Sequence, residues 1–302
     1  MSTSSPRYCG VLIAAIPVVL ILGLANLVMG DLNQDEGWYL YAAQRVADGL
    51  LPYRDFAYTQ GPMLPLVYAL FSPVIDLFGV GGGRALTWVF GLLATVLAYG
   101  IARSLGGSAA GVLAFILAGV NVYQSYFSTV VKTYSLCAFF MVLGFFALSR
   151  WVIVRKSGWL VLAGMGLAAA AGTRLSSGVL LPLVGCWLLF NPSRWGKLSW
   201  LWFGLGGGLF LLGIFLPLYL VAPEGFHFGL IEYHTMREAG GLISSLVLKA
   251  GFISRLLQAY FVVTILVALM VAGKMLRPFI GNDTGYHQTD AFAFVRLLWM
   301  SV

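Results

Sequence analysis

Long runs of apolar side chains, separated by short polar interruptions, recur along most of this chain. They fall at about 11–30, 85–102, 108–122, 133–149, 159–172, 178–190, 199–221 and 256–273. A helix needs roughly 20 mostly apolar residues to cross a bilayer. The pattern therefore predicts an all-α membrane protein, a bundle of about eight transmembrane helices. A ninth apolar piece, 63–80, carries Pro65 and Pro73 and follows Pro62. Proline removes a backbone donor and breaks helices, so this piece is expected to lie along the membrane surface rather than span it.

Charge placement supports that division. With the N-terminus cytoplasmic and 63–80 left out of the membrane, Arg7, Arg103, Arg150, Arg155, Lys156, Arg194, Lys197, Lys274 and Arg277 fall inside. The outer loops then hold Asp31, Asp35, Glu36, Asp48, Asp55, Asp76, Glu224, Glu232 and Glu238. A spanning 63–80 would invert every later loop, against the excess of Lys and Arg expected on the cytoplasmic side. The run from Val11 to Met29 exceeds the 7–15 residues of a signal-peptide core and has no small-x-small cleavage site after it. It reads as a retained first helix. The expected organisation is a transmembrane domain over 1–277, with a first outer loop at 31–84, and a short tail over 278–302. The expected location is the plasma (inner) membrane.

Composition agrees. The chain is 60% hydrophobic and 10% charged, where soluble domains carry about 25% charged residues. Its net charge of +7 is accounted for by the inner loops, and no zinc-finger or RNA-binding motif points to nucleic acid as a partner. Cys9, Cys137 and Cys186 have no metal-binding spacing and suggest no disulfide framework. No glycine run follows a strand or carries the Lys-Ser/Thr ending of a nucleotide-binding loop.

The stretch 33-NQDEGWYLYAAQRVADGLLPYRDF-56 is the most informative. An acid pair, Asp35-Glu36, follows the first apolar run directly. Asn33 or Asp35 can cap a short helix that holds Glu36 in its first turn, follows a helical pattern from Gly37 to Asp48 and ends at Gly49. Trp38, Tyr39 and Tyr41 suit the headgroup layer. Helix capping and loop solvation explain such acids in part, but capping needs only one. Arg54, Asp55, Tyr58 and Gln60 follow in 52-PYRDFAYTQGP-62. Carboxylates, a guanidinium and aromatic rings at one interface can bind a sugar, activate a hydroxyl and hold an anionic leaving group.

Further along, 172-GTRLSSG-178 separates two short apolar segments. At 1.5 Å per residue each covers about 20 Å, short of a ~30 Å hydrocarbon core. One reading is a thin or tilted hairpin. The other places Arg174 deep, facing a protein-lined, hydrated cavity, the setting in which charge survives at depth. Lys132 sits where a span begins and can snorkel. His227 and His234 lie near Glu224, Glu232 and Glu238 in a loop that also holds Arg237; zinc there is the weaker alternative to a solvated loop.

Taken together, these segments resemble the polytopic glycosyltransferases of the GT-C class, in particular relatives of dolichyl-phosphate-mannose protein O-mannosyltransferases and of lipid A aminoarabinose transferases. The resemblance rests on the retained first helix, Asp35-Glu36 with Tyr39 and Tyr41, Gly49, 52-PYRDF-56, 61-GPMLPLVYALF-71, 121-NVYQSYFSTVVKTYSLCAFF-140 and 171-AGTRLSSGVLLPL-183. It implies inverting transfer of a sugar from a polyprenyl-phosphate carrier to an acceptor hydroxyl on a glycan, lipid or protein of the cell envelope. Asp35 would be the base and Glu36 its support. Tyr39, Asp55, Tyr58 and Gln60 would line the substrate site. Arg54, Lys132, Arg174, His234 and Arg237 are the candidates to meet the phosphate. The resemblance requires no cofactor; a divalent cation at Asp35-Glu36 stays open. Relatives often carry a basic residue where Gln60-Gly61 stand, and some carry an acid where this chain has Lys132. The chain is also short for such an enzyme. A truncated, non-catalytic remnant and a transporter of lipid-linked sugars therefore remain alternatives.

Overall fold

The computed structural model describes residues 6–237 and 242–259, with a few positions between 261 and 269. Among these all the regular elements are helices, and one isolated bridge joins Pro52 and Phe56. The helices are α1 (Pro6–Met29), α2 (Gln34–Ala47), α3 (Met63–Ala69), α4 (Ser72–Phe78), α5 (Val80–Gly119), α6 (Val122–Phe127), α7 (Thr133–Val154) and α8 (Ser157–Thr173). After a 3-10 turn over Leu175–Val179 come α9 (Leu180–Leu189), α10 (Pro192–Trp195), α11 (Ser199–Val221), α12 (Pro223–His227), α13 (Tyr233–Arg237) and α14 (Leu242–Ala259).

Four helices among the described residues are long and apolar enough to cross a membrane: Tyr8–Met29, Val80–Gly119, Thr133–Val154 and Ser199–Val221. The sequence predicts about eight spans, and the difference has three sources. The segments expected at 85–102 and 108–122 share α5. Those expected at 159–172 and 178–190 are α8 and α9, of 17 and 10 residues. The segment at 256–273 is described only as the end of α14 and at scattered positions to 269, and the tail over 278–302 lies outside the described residues.

α5 is a single element in name only. Gly107 has φ 79° and ψ −173°, a conformation that a Cβ would oppose. A Cβ on Gly111 would lie 2.9 Å from the Cβ of Arg103, although a straight helix would separate these residues by about 12 Å. The chain therefore doubles back at Gly107, and α5 is a pair of arms. α1 packs on both: Gly23 faces Trp88 on the first arm and Val19 faces Gly119 on the second.

The bundle has two cores. One joins α7, α8, α9 and α11 through Leu148, Trp151, Leu160, Leu167, Val184, Leu188, Trp195 and Phe203. α8 and α11 approach closely enough that the Val161 carbonyl occupies the place of a Cβ on Gly206. Such contact between backbones is how small residues hold membrane helices together. At that core's end Arg155, left-handed at φ 59°, stacks over Trp151 and Trp195 at 5.3 and 4.8 Å.

The second core belongs to the loop between α1 and α5. Tyr39, Leu40, Tyr53, Tyr58, Leu64, Tyr68 and Ile75 are buried together with Phe90, Leu136 and Leu218. Trp38 and Tyr39 were expected in the headgroup layer with Tyr41. Instead Tyr39 is buried, Trp38 half-buried, and only Tyr41 exposed. The reason is the α3–α4 platform. Two short helices over 63–78, divided at Leu70 and Phe71, give the loop an apolar floor, and the aromatic face of α2 closes on it. α5 begins at Val80, which takes Arg84 into a helix rather than the loop.

Candidate active site

The site is built on the start of α2. Asn33 is its cap: its side chain accepts from the Asp35 amide at 3.1 Å, and Glu36 returns a carboxylate oxygen to the Asn33 amide at 2.9 Å. This reciprocal box satisfies two donors that a helix start leaves open. Glu36 is 1% exposed. Arg84 grips it as a fork, Nε to Oε1 at 2.8 Å and Nη2 to Oε2 at 2.7 Å. Oε1 also accepts from the Val131 amide at 3.0 Å. The same guanidinium donates to the carbonyls of Gly30 and Asp31 at 2.8 and 2.7 Å. One ion pair thus ties together the end of α1, the start of α2, the first turn of α5 and the segment before α7. Burial pushes the Glu36 carboxyl up, but the hydrogen bonds from Arg84, Asn33 and Val131 outweigh it and hold the group below its ordinary value.

Asp35, the next residue back, turns the other way. It lines a cavity of about 620 Å³ with Tyr39, Gln60, Lys132, Thr133, Tyr134, Arg174, Leu175, Ser176, Leu230 and His234. Lys132 Nζ meets Asp35 Oδ2 at 2.8 Å, with the lysine mostly buried and the aspartate half-exposed. Arg174 caps the end of α8 with extended backbone. Its guanidinium lies 4.8 Å over the Tyr134 ring, and its Nε donates to Ser176 Oγ at 3.3 Å. His234 Nε2 is 2.9 Å from the Thr59 carbonyl. A carbonyl can only accept, so Nε2 carries the proton. Burial pushes the Tyr39 phenol up to about 12, against the lowering effect of a hydrogen bond with Thr133, and it stays neutral at physiological pH.

Backbone contact brings these distant segments to one place. The Gly172 carbonyl occupies the position a Cβ on Gly61 would take, and the Tyr58 carbonyl does the same at Gly229. The first loop thereby rests on the end of α8, and the turn after α12 rests on the first loop.

Of the residues singled out in the sequence, Asp35, Tyr39, Gln60, Lys132, Arg174 and His234 come together. Others do not join them. Arg54 and Asp55 form their own exposed pair at 2.8 Å, and Asp55 also accepts from the Leu51 amide at 2.7 Å. Tyr58 is buried in the loop core, stacked on Trp38 with ring centroids 4.9 Å apart. Glu36 faces Arg84 rather than the cavity. Arg237 ends α13, and its side chain lies outside the described residues, as does Glu238. Arg84, Thr133, Tyr134 and Ser176 were not foreseen. Only Arg84 left a trace, as a lone arginine in the glycine-rich start of an apolar run.

The cavity holds one carboxylate beside two cations and a histidine. That set can take a proton from a hydroxyl at one point and stabilise negative charge at another. Among the described residues no group of three or more His, Cys, Asp or Glu could hold a metal ion. At Asp35-Glu36 both oxygens of Glu36 are committed to protein donors, so the pair does not fit a chelated divalent cation. His227 pairs with Glu232 at 2.9 Å, away from His234.

Residues 59–220 match the dolichyl-phosphate-mannose-protein mannosyltransferase family, more than half of the 302 residues. The chain belongs to that family. Neither a curated protein nor a solved structure matches it. Membership makes this an integral membrane glycosyltransferase of the mannosyltransferase family, and the family implies a lipid-linked sugar donor and an acceptor. The matched segment supplies Gln60, Lys132, Thr133, Tyr134, Arg174 and Ser176 of the cavity, whereas Asp35 and Glu36 precede it.

Proposed function

We propose that this mannosyltransferase-family protein moves a sugar from a polyprenyl-phosphate carrier to an acceptor hydroxyl, with inversion, on the outer face of the membrane. The observation that carries the reading is Asp35 in one cavity with Lys132, Arg174 and His234. A hydroxyl is a poor nucleophile, and a carboxylate within reach takes its proton as the new bond forms. The acceptor oxygen attacks the anomeric carbon from the face opposite the phosphate. The bond from that carbon to the phosphate oxygen breaks, its electron pair stays on the phosphate, and the proton passes to Asp35. Negative charge grows on the carrier phosphate, where cations close by lower the barrier. Lys132 and Arg174 are the cations in place, with His234 Nδ1 and the Tyr39 hydroxyl near the sugar.

Orientation follows from charge. The carboxylates from Asp31 to Asp76, with Glu224 and Glu232, gather at the cavity end of the bundle, while Arg103, Arg155, Lys156, Arg194 and Lys197 lie at turns of the other end. An excess of basic residues marks the cytoplasmic side. This supports a cytoplasmic N-terminus, an outward cavity and eight spans, with both arms of α5 and the short α8 and α9 counted among them.

The test uses membranes carrying the parent chain or Asp35→Asn, labelled polyprenyl-phosphate sugars and an envelope extract as acceptor. Label should enter the extract with the parent only, and the variant should lose roughly 10²–10⁴-fold in rate. Equal transfer by a well-inserted Asp35→Asn protein would remove Asp35 as the base.

A further inference from the structure

We infer that Lys132 is a positioning residue with two partners in turn: it holds Asp35 while the donor site is empty, and moves to the carrier phosphate when the donor binds. The inference rests on the transferase reading above and adds an order of events to it. The acceptor is deprotonated only once the donor is in place.

The geometry separates Lys132 from the other cation. Arg174 is fixed, laid over the Tyr134 ring and tied to Ser176. Lys132 has neither restraint. It stands on extended backbone immediately before α7 (φ −145°, ψ 170°), and its ammonium is a compact charge on a flexible four-carbon stem. Its stem is largely buried, 16% exposed, and delivers Nζ to Asp35 Oδ2 at 2.8 Å. In this state one of the two Asp35 oxygens, Oδ2, accepts from an ammonium and stays engaged until the ammonium leaves.

The chemistry supplies the reason to leave. The donor is a phosphodiester with one negative charge, and the spent carrier is a monoester with up to two. Asp35 starts ionised and ends protonated. Over the reaction, negative charge therefore drains from Asp35 and accumulates on the phosphate. Lys132 lines the same cavity as Arg174, so a phosphate seated on Arg174 competes with Asp35 for the mobile cation. The competition strengthens as transfer proceeds. Release of the carrier returns Lys132 to Asp35.

The experiment reads the contact itself. A water-soluble carbodiimide joins a carboxylate to an amine that touches it, with loss of water. The full chain in lipid nanodiscs, treated this way, should yield an Asp35–Lys132 amide, detected by peptide mass. Polyprenyl phosphate at saturation should suppress the cross-link about tenfold, and the uncharged polyprenol of equal length should not. Lys132→Met should bind polyprenyl phosphate roughly tenfold more weakly or worse, the loss expected for a charged hydrogen bond, and Lys132→Arg should bind within a few-fold of the parent. A cross-link that persists unchanged with polyprenyl phosphate bound, or never forms in the empty protein, overturns the inference and leaves the transferase reading standing. Failure of polyprenyl phosphate to bind the parent chain at all removes the transferase reading, and the inference with it.

Discussion

Two ion pairs begin at neighbouring residues and have opposite characters. Glu36–Arg84 is closed: 1% and 6% of its side chains are exposed, and each carboxylate oxygen has two protein donors. Asp35–Lys132 is open: it lines a cavity, and half of the aspartate side chain meets solvent. Consecutive side chains on a helix diverge by about 100°, so one dipeptide can address a packed seam and a cavity at once. The closed pair has no capacity left for a ligand and serves as a joint among four segments. The open pair can exchange partners, which a catalytic group requires. The difference shows that adjacency of two acids is no sign that they act together.

Breaking the closed pair should produce the largest effect on stability. Arg84→Met leaves the Glu36 carboxylate buried with its fork removed, a loss of about 3–5 kcal/mol, read as a lower unfolding temperature in nanodiscs. Replacing both partners, Glu36→Gln with Arg84→Met, should recover part of that loss, because no buried charge is then stranded. A single-variant cost under ~1 kcal/mol would erase the contrast between the pairs.

Acid sharpens the same contrast. The Glu36 carboxyl is held below its ordinary 4.5 in the folded protein. Its stabilising contribution is fully present above that ordinary value and is lost as pH falls through the lower folded value. The parent's stability should therefore drop on acidification below about pH 4.5, and the double variant should show a shallower drop over the same window.

The open pair should matter little to the fold. Asp35→Asn is expected to change unfolding stability by less than ~1 kcal/mol while transfer collapses, so activity and melting measured on one preparation separate the two acids. The smallest effect belongs to Arg54→Gln. Arg54 pairs with Asp55 on the surface and away from the cavity, and both melting and transfer should stay at parent levels. Loss of transfer in that variant would bring the Arg54–Asp55 pair back into the site.

Much of the fold was legible along the chain. Apolar length announced the helices, Gly49 and Asn33 bounded α2, and prolines kept 63–78 to short helices. The helix count was less legible, because a glycine that reverses the chain and a short helix leave the same apolar signal as a full span. Within the site, Asp35, Lys132 and Arg174 stood out because charge beside apolar runs is scarce here. Tyr58 and Arg54 misled for a physical reason. An aromatic ring or a guanidinium in a loop serves a private core or a local ion pair as readily as a sugar, and only packing distinguishes these. Thr133, Tyr134 and Ser176 carried no signal, since small polar and aromatic residues near helix ends are ordinary.

The sequence by itself determined that this protein lives in a membrane and that an acid pair opens the first helix after α1. These are consequences of transfer free energy and local capping, which act residue by residue. Only the tertiary structure decided which acid faces the cavity, which cations stand beside it, and which is sealed against Arg84. Those outcomes depend on backbone approaches between segments more than a hundred residues apart, such as Gly61 against Gly172 and Gly229 against Tyr58, and no local property of the chain encodes them.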